Sequence, residues 1–560
     1  CRNGAQTFSA TPVYGNLMLR AGAINSVKTA AAALTINGDF TLGASLVQFN
    51  AGTFSHTIKG NIVNNSTHAT PFAATANTIA LNGTTPQSIG GTALSRFGTL
   101  NISNTSQPVS VNSNINVATT LNVNASAVLI PAATVAINNA AAAGTITGSG
   151  TIHVTKTTAT ADYLNQYKFT TNTLTNMIVN YAGAGAQTIN STVGNYGEIN
   201  TSGSGTKTLD GAITINGAGK GNLIIGSGTT LATANFNISL IGNWTNNNAF
   251  TAGTSTITFN GAAAQNINGT STTDFSDLTL NNANGLVLAI NTTASGILTF
   301  TNGKISTGSN KFSVTGLGTV SGAGTGKYIY GNLEKNINIG ATTATFEIGD
   351  ASNYIPIDLS LTGVTTGGSL QAIANEPVSD HANIATSEII AGESVNRTWS
   401  LTNSGGTIAL TSFDITLNFL AGDIDGGANT AIFVPAVYNG TWAYPSYGTR
   451  TATSTQGTAL TLANLGDFQI GEPIAPTVST QPNSQTICEG SPVTFTSAAS
   501  GYPSTMQWEV STDGGGSWSA IPGETNSAYT FNVAIADNSK QYHLIFTNPN
   551  GTATSNAAVL

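Results

Sequence analysis

Residues 254–285 read TSTITFNGAAAQNINGTSTTDFSDLTLNNANG. Apolar and small polar residues alternate along Thr256-Ile257-Thr258-Phe259 and again along Leu278-Thr279-Leu280, the period-two signature of strands with one buried face. The repeat extends over Thr254–Ile305, and the same succession runs through Leu174–Leu231 and Ala74–Leu129. In each copy a small-residue turn precedes Gln-x-Ile (Gln87/Ile89, Gln187/Ile189, Gln265/Ile267), and a second strand pair ends in Asn at Leu100-Asn101, Ile199-Asn200 and Leu280-Asn281. Repeats of this kind stack, because no unit can bury its apolar face alone.

Residues 1–324 as a whole are short strand-like runs between Gly, Asn and Ser turns. Asn-Gly pairs such as Asn82-Gly83 and Asn260-Gly261 would also suit antiparallel hairpins. A parallel β-helix accounts better for one continuous low-charge region with Thr/Asn ladders. At about 20–25 residues per coil the stretch gives about 13–16 coils, and a strand spacing of ~4.8 Å makes that a rod on the order of 65–75 Å long. No window reads as a convincing helix.

Composition narrows the class. The 560 residues are only 7% charged and 40% hydrophobic, which sets the chain apart from ordinary globular domains yet leaves enough apolar side chains for a core and excludes disorder. No apolar run is long enough for a membrane helix. With no basic-plus-apolar leader at its start, the chain is expected to be a mature or trimmed product. Eleven Lys/Arg face six Asp/Glu in residues 1–324, a net of +5, whereas five face 18 in residues 325–560, a net of −13. Proline shifts at the same point, with 5 before residue 325 and 11 after it. The expected organisation is therefore a β-helical rod over 1–324, a β-sandwich over 325–473 and an immunoglobulin-like β-sandwich over 474–560.

The middle segment brings large side chains (Tyr328, Phe346, Trp399, Phe413, Phe433, Trp442) and about eight strand-length runs, Ile408–Leu410 among them. The last segment follows a Pro473-Ile474-Ala475-Pro476 linker. Trp508 stands where an immunoglobulin core Trp belongs, and Asp537 with Tyr542 resembles a tyrosine corner. Leu544 holds the place of the usual second cysteine, and Cys488 falls earlier, in the expected first strand.

Gly326-Lys327-Tyr328-Ile329-Tyr330-Gly331-Asn332-Leu333-Glu334-Lys335, with Val395-Asn396-Arg397-Thr398-Trp399 and Ala421-Gly422-Asp423-Ile424-Asp425, resembles a module of large secreted surface proteins of Bacteroidetes-type bacteria. There it follows Asn/Thr-rich β-helical repeats such as Gly242-Asn243-Trp244-Thr245-Asn246-Asn247 and precedes immunoglobulin-like domains. The resemblance implies a cell-surface adhesin exported by a type IX secretion-like route.

Signals for chemistry are thin. Glycan cleavage on a β-helix needs two carboxylates about 5–10 Å apart. Residues 1–324 offer Asp39, Asp162, Glu198, Asp210, Asp274 and Asp277, of which only the last two are close in sequence, with an odd offset that favours opposite faces. The five histidines lack metal-ligand spacing. His56 and His68 are expected as a solvated surface pair, and His543 is expected to point out of its sandwich. Asp423-Ile424-Asp425-Gly426 opens like a calcium loop without its later ligands, so Asp423 and Asp425 are a weak calcium candidate against a plain polar turn. No other cofactor is expected, and the Gly-Lys and Gly-Ser pairs lack the helices that phosphate loops and nucleophile elbows need. A net of +5 is too thin for nucleic acid.

These readings converge on a non-enzymatic, extracellular structural or adhesive protein that assembles with itself or other surface proteins as a fibre or stalk. Cys1 and Cys488 are candidates for an intersubunit disulfide, with a lipid-modified Cys1 as the alternative. Tyr438, Trp442, Tyr444 and Tyr447 are the candidate glycan contacts of a second, non-catalytic binding reading, against a packing role. A β-helical polysaccharide-degrading enzyme ranks third.

Overall fold

A computed structural model describes residues 4–22, 24–73, 76–158, 160, 162–376, 378–502 and 505–560. The chain is nearly all β, with 50% strand and 4% helix, and contains a β-solenoid of about 16 turns. It divides into two compact units, residues 1–323 and 324–560.

In the first unit the described strand ladders are parallel, so the Asn-Gly pairs close coil corners and not hairpins. One seven-stranded face runs through Thr35–Ile36, Ser55–Ile58, Thr78–Leu81, Ser95–Ile102, Ile115–Val123, Thr145–Gly148 and Thr171–Asn172. A six-stranded face runs through Ile213–Ile215, Ile238–Leu240, Thr256–Phe259, Asp277–Asn281, Ile297–Asn302 and Thr319–Ser321. Register stacks like on like. Ile79, Leu100, Leu121 and Ile146 form one buried column, as do Ile213, Ile238, Ile257, Leu278 and Leu298. The outward residue beside each buried one is small and polar, so the alternation seen in sequence becomes inside against outside.

Coil stacking explains one glycine directly. Gly269 has φ +129°, and a Cβ there would collide with the Asn246 carbonyl of the coil below.

A single α-helical turn, Asp162–Gln166, interrupts the strands. Sequence periodicity gave no helix there, since five residues fall below any helical repeat. Asp162 accepts from Thr158 N at 2.6 Å and Thr188 N at 2.7 Å, and Gln166 accepts from Thr155 N at 2.6 Å. These tertiary bonds hold the turn in place of intrinsic propensity.

The second unit is antiparallel except where Ile329–Ile337 runs parallel to Ile348–Gly349. One sheet contains Thr343–Phe346, Ile357–Thr362, Ser412–Asn418, Ser454–Leu460 and Ser446–Arg450. Ile329–Ile337, Gly368–Ala374, Trp399–Gly405, Gly466–Pro473 and Val434–Tyr438 pair in a second set. Trp399, Phe346, Phe413, Phe433 and Phe468 are buried in this part. Ile408–Leu410 is not a strand; Ala409 makes only an isolated bridge to Thr366.

Farther along, Thr505–Ser511 pairs with Gln541–Asn548, and Pro492–Thr496 pairs with Ala528–Asn532. Their core holds Trp508, Phe495, Tyr542, Leu544 and Phe546. Trp508 Nε1 donates to the Asn526 carbonyl at 2.9 Å, and Leu544 packs where a cysteine would otherwise bridge the sheets. Cys488 lies in an irregular segment before Pro492–Thr496, not in a strand, because its neighbours find no ladder partner.

Candidate functional site

Each of the solenoid's six carboxylates bonds to an adjacent coil. Asp39 accepts from Asn61 N at 2.7 Å, Asp162 from Thr188 N at 2.7 Å and Asp210 from Ser191 N at 2.7 Å. Glu198 accepts from Asn222 Nδ2 at 2.8 Å, Asp274 from Thr293 Oγ1 at 2.5 Å and Asp277 from Ile297 N at 2.7 Å. Asp274 and Asp277 belong to strands of different sheets. Four of the six hold a backbone N–H of the neighbouring coil, and Glu198 and Asp274 hold a side chain there.

The Gln-x-Ile motif has the same kind of role. Gln265 Oε1 accepts from Gly261 N at 2.8 Å, and its Nε2 donates to the carbonyls of Leu240 (3.1 Å) and Gly242 (2.5 Å). Gln87 makes the matching set with Gly83, Ile58 and Gly60, and Gln187 with Gly183, Val154 and Lys156. All three are buried. Each closes its own corner and ties it to the preceding coil.

Two buried lysines and four buried tyrosines were not apparent from sequence. Lys28 Nζ donates to the Gly4 carbonyl and Gln6 Oε1. Lys207 Nζ donates to the carbonyls of Gly183, Gly185 and Ser204 at 2.8–2.9 Å. Burial pushes the Lys207 ammonium down to about 8, and Asp162 opposes that only in part. Tyr163 stacks on Tyr167 with centroids 5.3 Å apart, and the Tyr181 and Tyr196 hydroxyls meet at 3.0 Å. Burial raises the pKa of all four.

The histidine expectations divide. His56 is buried, not solvated: Nδ1 accepts from Leu34 N at 3.1 Å while Nε2 lies 2.8 Å from the Ala51 carbonyl. In Ser55-His56-Thr57-Ile58 it is in phase with Ile58, which turns it inward. His68 is half-buried. His543 lies between the core residues Tyr542 and Leu544 in its strand, and is covered by Trp518, stacked at 3.7 Å, and by Glu509 at 3.0 Å.

In the second unit the proposed glycan-stacking aromatics are engaged with protein. Trp442 packs against His381 and Tyr438, and its Nε1 donates to the Asn383 carbonyl and Thr386 Oγ1 at 3.2 Å. Tyr444 contacts the Tyr502 ring at 5.0 Å and accepts from Glu388 N at 2.6 Å. Tyr447 lies under the Arg450 guanidinium at 3.7 Å. They form no open row.

The calcium candidate has a different occupant. Asp423 is buried and takes both Nε (2.9 Å) and Nη2 (3.0 Å) of Arg397, whose Nη1 reaches Asp350 at 2.8 Å. Asp425 accepts from Ser394 N at 2.9 Å and Asn396 Nδ2 at 2.6 Å. A buried guanidinium supplies the positive charge at Asp423. Among the described residues no cluster of three or more His, Cys, Asp or Glu could hold a metal. The sequence runs 395–399 and 421–425 thus meet through Arg397 and Asp423, a partnership that 26 residues of separation conceal. Cys488 is exposed with a free thiol, and Cys1 lies outside the described residues.

Residues 477–560 match a family described as a domain of unknown function (DUF8696). The chain is similar to endoglucanase C of Cellulomonas fimi, 34% identical over 84 residues. That similarity spans 15% of this chain and 7% of the relative. Among solved structures, a β-1,2-glucanase from Parabacteroides distasonis is 10% identical, over 42% of this chain and 36% of that one, at a TM-score of 0.12. A likeness so slight carries no argument about fold or activity.

Proposed function

We propose that this chain is an extracellular structural or adhesive protein that contributes a stiff β-solenoid to a bacterial surface assembly. The observation that carries the reading is that all six solenoid carboxylates, together with the three buried glutamines, make bonds between coils. Catalysis needs acids poised towards a substrate with a matched protonation state. Each of these adds cohesion between coils, and a well-tied solenoid resists the extension that a surface tether experiences.

Assembly through self-association, export by a type IX-like route and a thiol bridge involving Cys1 and Cys488 belong to the same proposal. The free, exposed Cys488 thiol and the opposite net charges of residues 1–324 and 325–560 support contact between copies. Among the described residues no helix is long and apolar enough to cross a membrane. Electron microscopy of the purified native protein tests the assembly, with filaments or bundled rods expected. Turnover of any neutral or acidic polysaccharide by the full chain would overturn the non-enzymatic reading.

A second reading makes the chain a non-catalytic glycan-binding module. Its support is the 84-residue similarity to a protein named an endoglucanase. Glycan-array binding that survives Trp442→Ala would move the contact away from the aromatic cluster.

A further inference from the structure

Ser394 and Gln469 are both fully buried in the second unit and meet on adjacent antiparallel strands, with Ser394 opposite Gly471. Gln469 is two residues from Gly471 and so shares the serine's face of the sheet. A Cβ on Gly471 would come within 2.8 Å of Ser394 Cβ, so a glycine there lets the two strands approach closely. Both side chains lie on one carboxylate oxygen. Ser394 Oγ donates to Asp380 Oδ1 at 2.6 Å, and Gln469 Nε2 donates to the same atom at 3.2 Å and to the Val395 carbonyl at 2.7 Å. Gln469 Oε1 accepts at 2.8 Å from the backbone N–H of His381, the residue next to that carboxylate. A hydroxyl, a group that can take its proton, an amide and a donor on the amide oxygen thus stand together.

We propose that Ser394 and Gln469 join covalently, as an ester that staples strand Ile389–Ser394 to strand Gly466–Pro473. Asp380 takes the Ser394 proton as Oγ bonds to Gln469 Cδ, and the oxygen of the tetrahedral intermediate keeps the His381 N–H. Asp380 then passes the proton to Nε2, the Cδ–Nε2 bond breaks and ammonia leaves. One hydroxyl and one carboxamide become one ester and one ammonia, with no oxidant, reductant or other reactant. Burial pushes the Asp380 pKa above its ordinary value, and Asp425, whose Oδ2 lies 3.3 Å from Ser394 Oγ, adds to that against the bonds from Ser394 and Gln469. A carboxylate with a raised pKa is the better base for a hydroxyl proton. The event happens once per chain and gives no turnover, so it accords with a non-enzymatic tether. Under extension such a bond holds where hydrogen-bonded rungs would unzip. It stands whether or not copies of the chain associate.

Mass spectrometry of the purified full chain tests it. Trypsin acting on the denatured chain cuts after Lys335, Arg397, Arg450 and Lys540, which places Ser394 in peptide 336–397 and Gln469 in peptide 451–540. The two peptides are expected as one branched species, lighter than their sum by one ammonia, about 17 Da. Mild alkali should separate them and leave a carboxylate on the former glutamine side chain. Ser394→Ala and Asp380→Asn should each give the two peptides separately and at full mass, with unchanged circular dichroism, whereas Ser394→Thr should keep the branch. Separate peptides from the wild type overturn the inference. So does an ammonia loss that persists in Ser394→Ala, which would belong to the Asn-Gly pairs elsewhere in the chain. A branch that survives Asp380→Asn would remove Asp380 from the proton transfer.

Discussion

Gln187 and Lys207 stand opposite each other on adjacent parallel strands and share one corner of the solenoid. Gln187 Oε1 accepts from Gly183 N, while Lys207 Nζ donates to the Gly183 and Gly185 carbonyls. In the other two copies of the motif an asparagine amide does the lysine's work: Asn104 Nδ2 donates to the Thr85 carbonyl and Asn282 Nδ2 to that of Ala263. The acceptor lies two residues before the glutamine each time. One corner design therefore recurs with either donor.

The glutamine should be costly to remove. Gln265→Ala leaves Gly261 N and the Leu240 and Gly242 carbonyls without their side-chain partner. With an unsatisfied buried group costing about 1–3 kcal/mol, a loss of roughly 3 kcal/mol is expected. Urea unfolding followed by the fluorescence of Trp244, which is buried in a neighbouring coil, measures it. Gln265→Glu should do no better at neutral pH, since a carboxylate cannot donate to the two carbonyls. An unchanged urea midpoint in either variant would refute the corner's role.

Lys207 gives a pH signature. Its folded-state pKa, about 8, lies below the ordinary 10.5, so between those values the unfolded chain binds more protons than the folded one. Stability therefore rises with pH in that window. Above pH 10 the buried Tyr163, Tyr167 and Tyr196 reverse the trend, because burial holds their protons on in the folded chain while the unfolded chain ionises. Lys207→Asn should flatten the rise and leave the alkaline fall. Urea midpoints of both proteins at pH 7.5, 9, 10 and 11 decide it, and parallel curves would count against a buried ammonium.

The solenoid was legible in the sequence because its pattern is local: alternation survives in every coil, and the recurring Gln-x-Ile marks the corner. What the glutamine does was not, since its carbonyl partners lie 23–33 residues back and have no side-chain signature. His56 could have been placed from its phase with Ile58. Arg397 and Asp423 lie in separate runs of sequence, and only the antiparallel packing of the second unit brings them together. The same packing turned Asp423 from a metal candidate into an arginine partner. Trp442 and Tyr444 were visible as aromatics, but exposure depends on segments 383–388 and 502, which no local pattern connects to them.

Arg397 should be among the most sensitive positions of the second unit. It bridges Asp350 and Asp423 from a site 1% exposed. Removing one partner of a buried ion pair costs about 3–5 kcal/mol, so Arg397→Met should destabilise by that order, and Arg397→Lys, without the fork, by a large part of it. Although burial pushes the Asp350 carboxyl up, bonds from Ser352, Asn353 and Arg397 hold it below the usual range. Its contribution is thus present above about pH 4 and disappears on further acidification. Chemical denaturation of the wild type and both variants at pH 7 and pH 3 tests both points, the gap between them narrowing at pH 3.

Tyr502 tests whether the last 87 residues are held firmly to the sandwich before them. Its ring meets Tyr444, and its hydroxyl donates to the Pro445 carbonyl at 3.0 Å. Asn548 and Asn550 donate to the carbonyls of Ile474 and Pro473 at 2.8 Å, fixing the connecting segment at its other side. Tyr502→Ala removes an aromatic pair of about 0.5–1.5 kcal/mol beyond its buried area but leaves the core around Trp508 intact. The expected result is faster proteolytic cleavage near residues 473–476, with no change in the unfolding of the immunoglobulin-like part. Tyr502→Phe, keeping the ring contact and losing the hydroxyl, should fall between wild type and Tyr502→Ala. If all three proteins are cleaved at one rate, the two asparagines alone hold the joint.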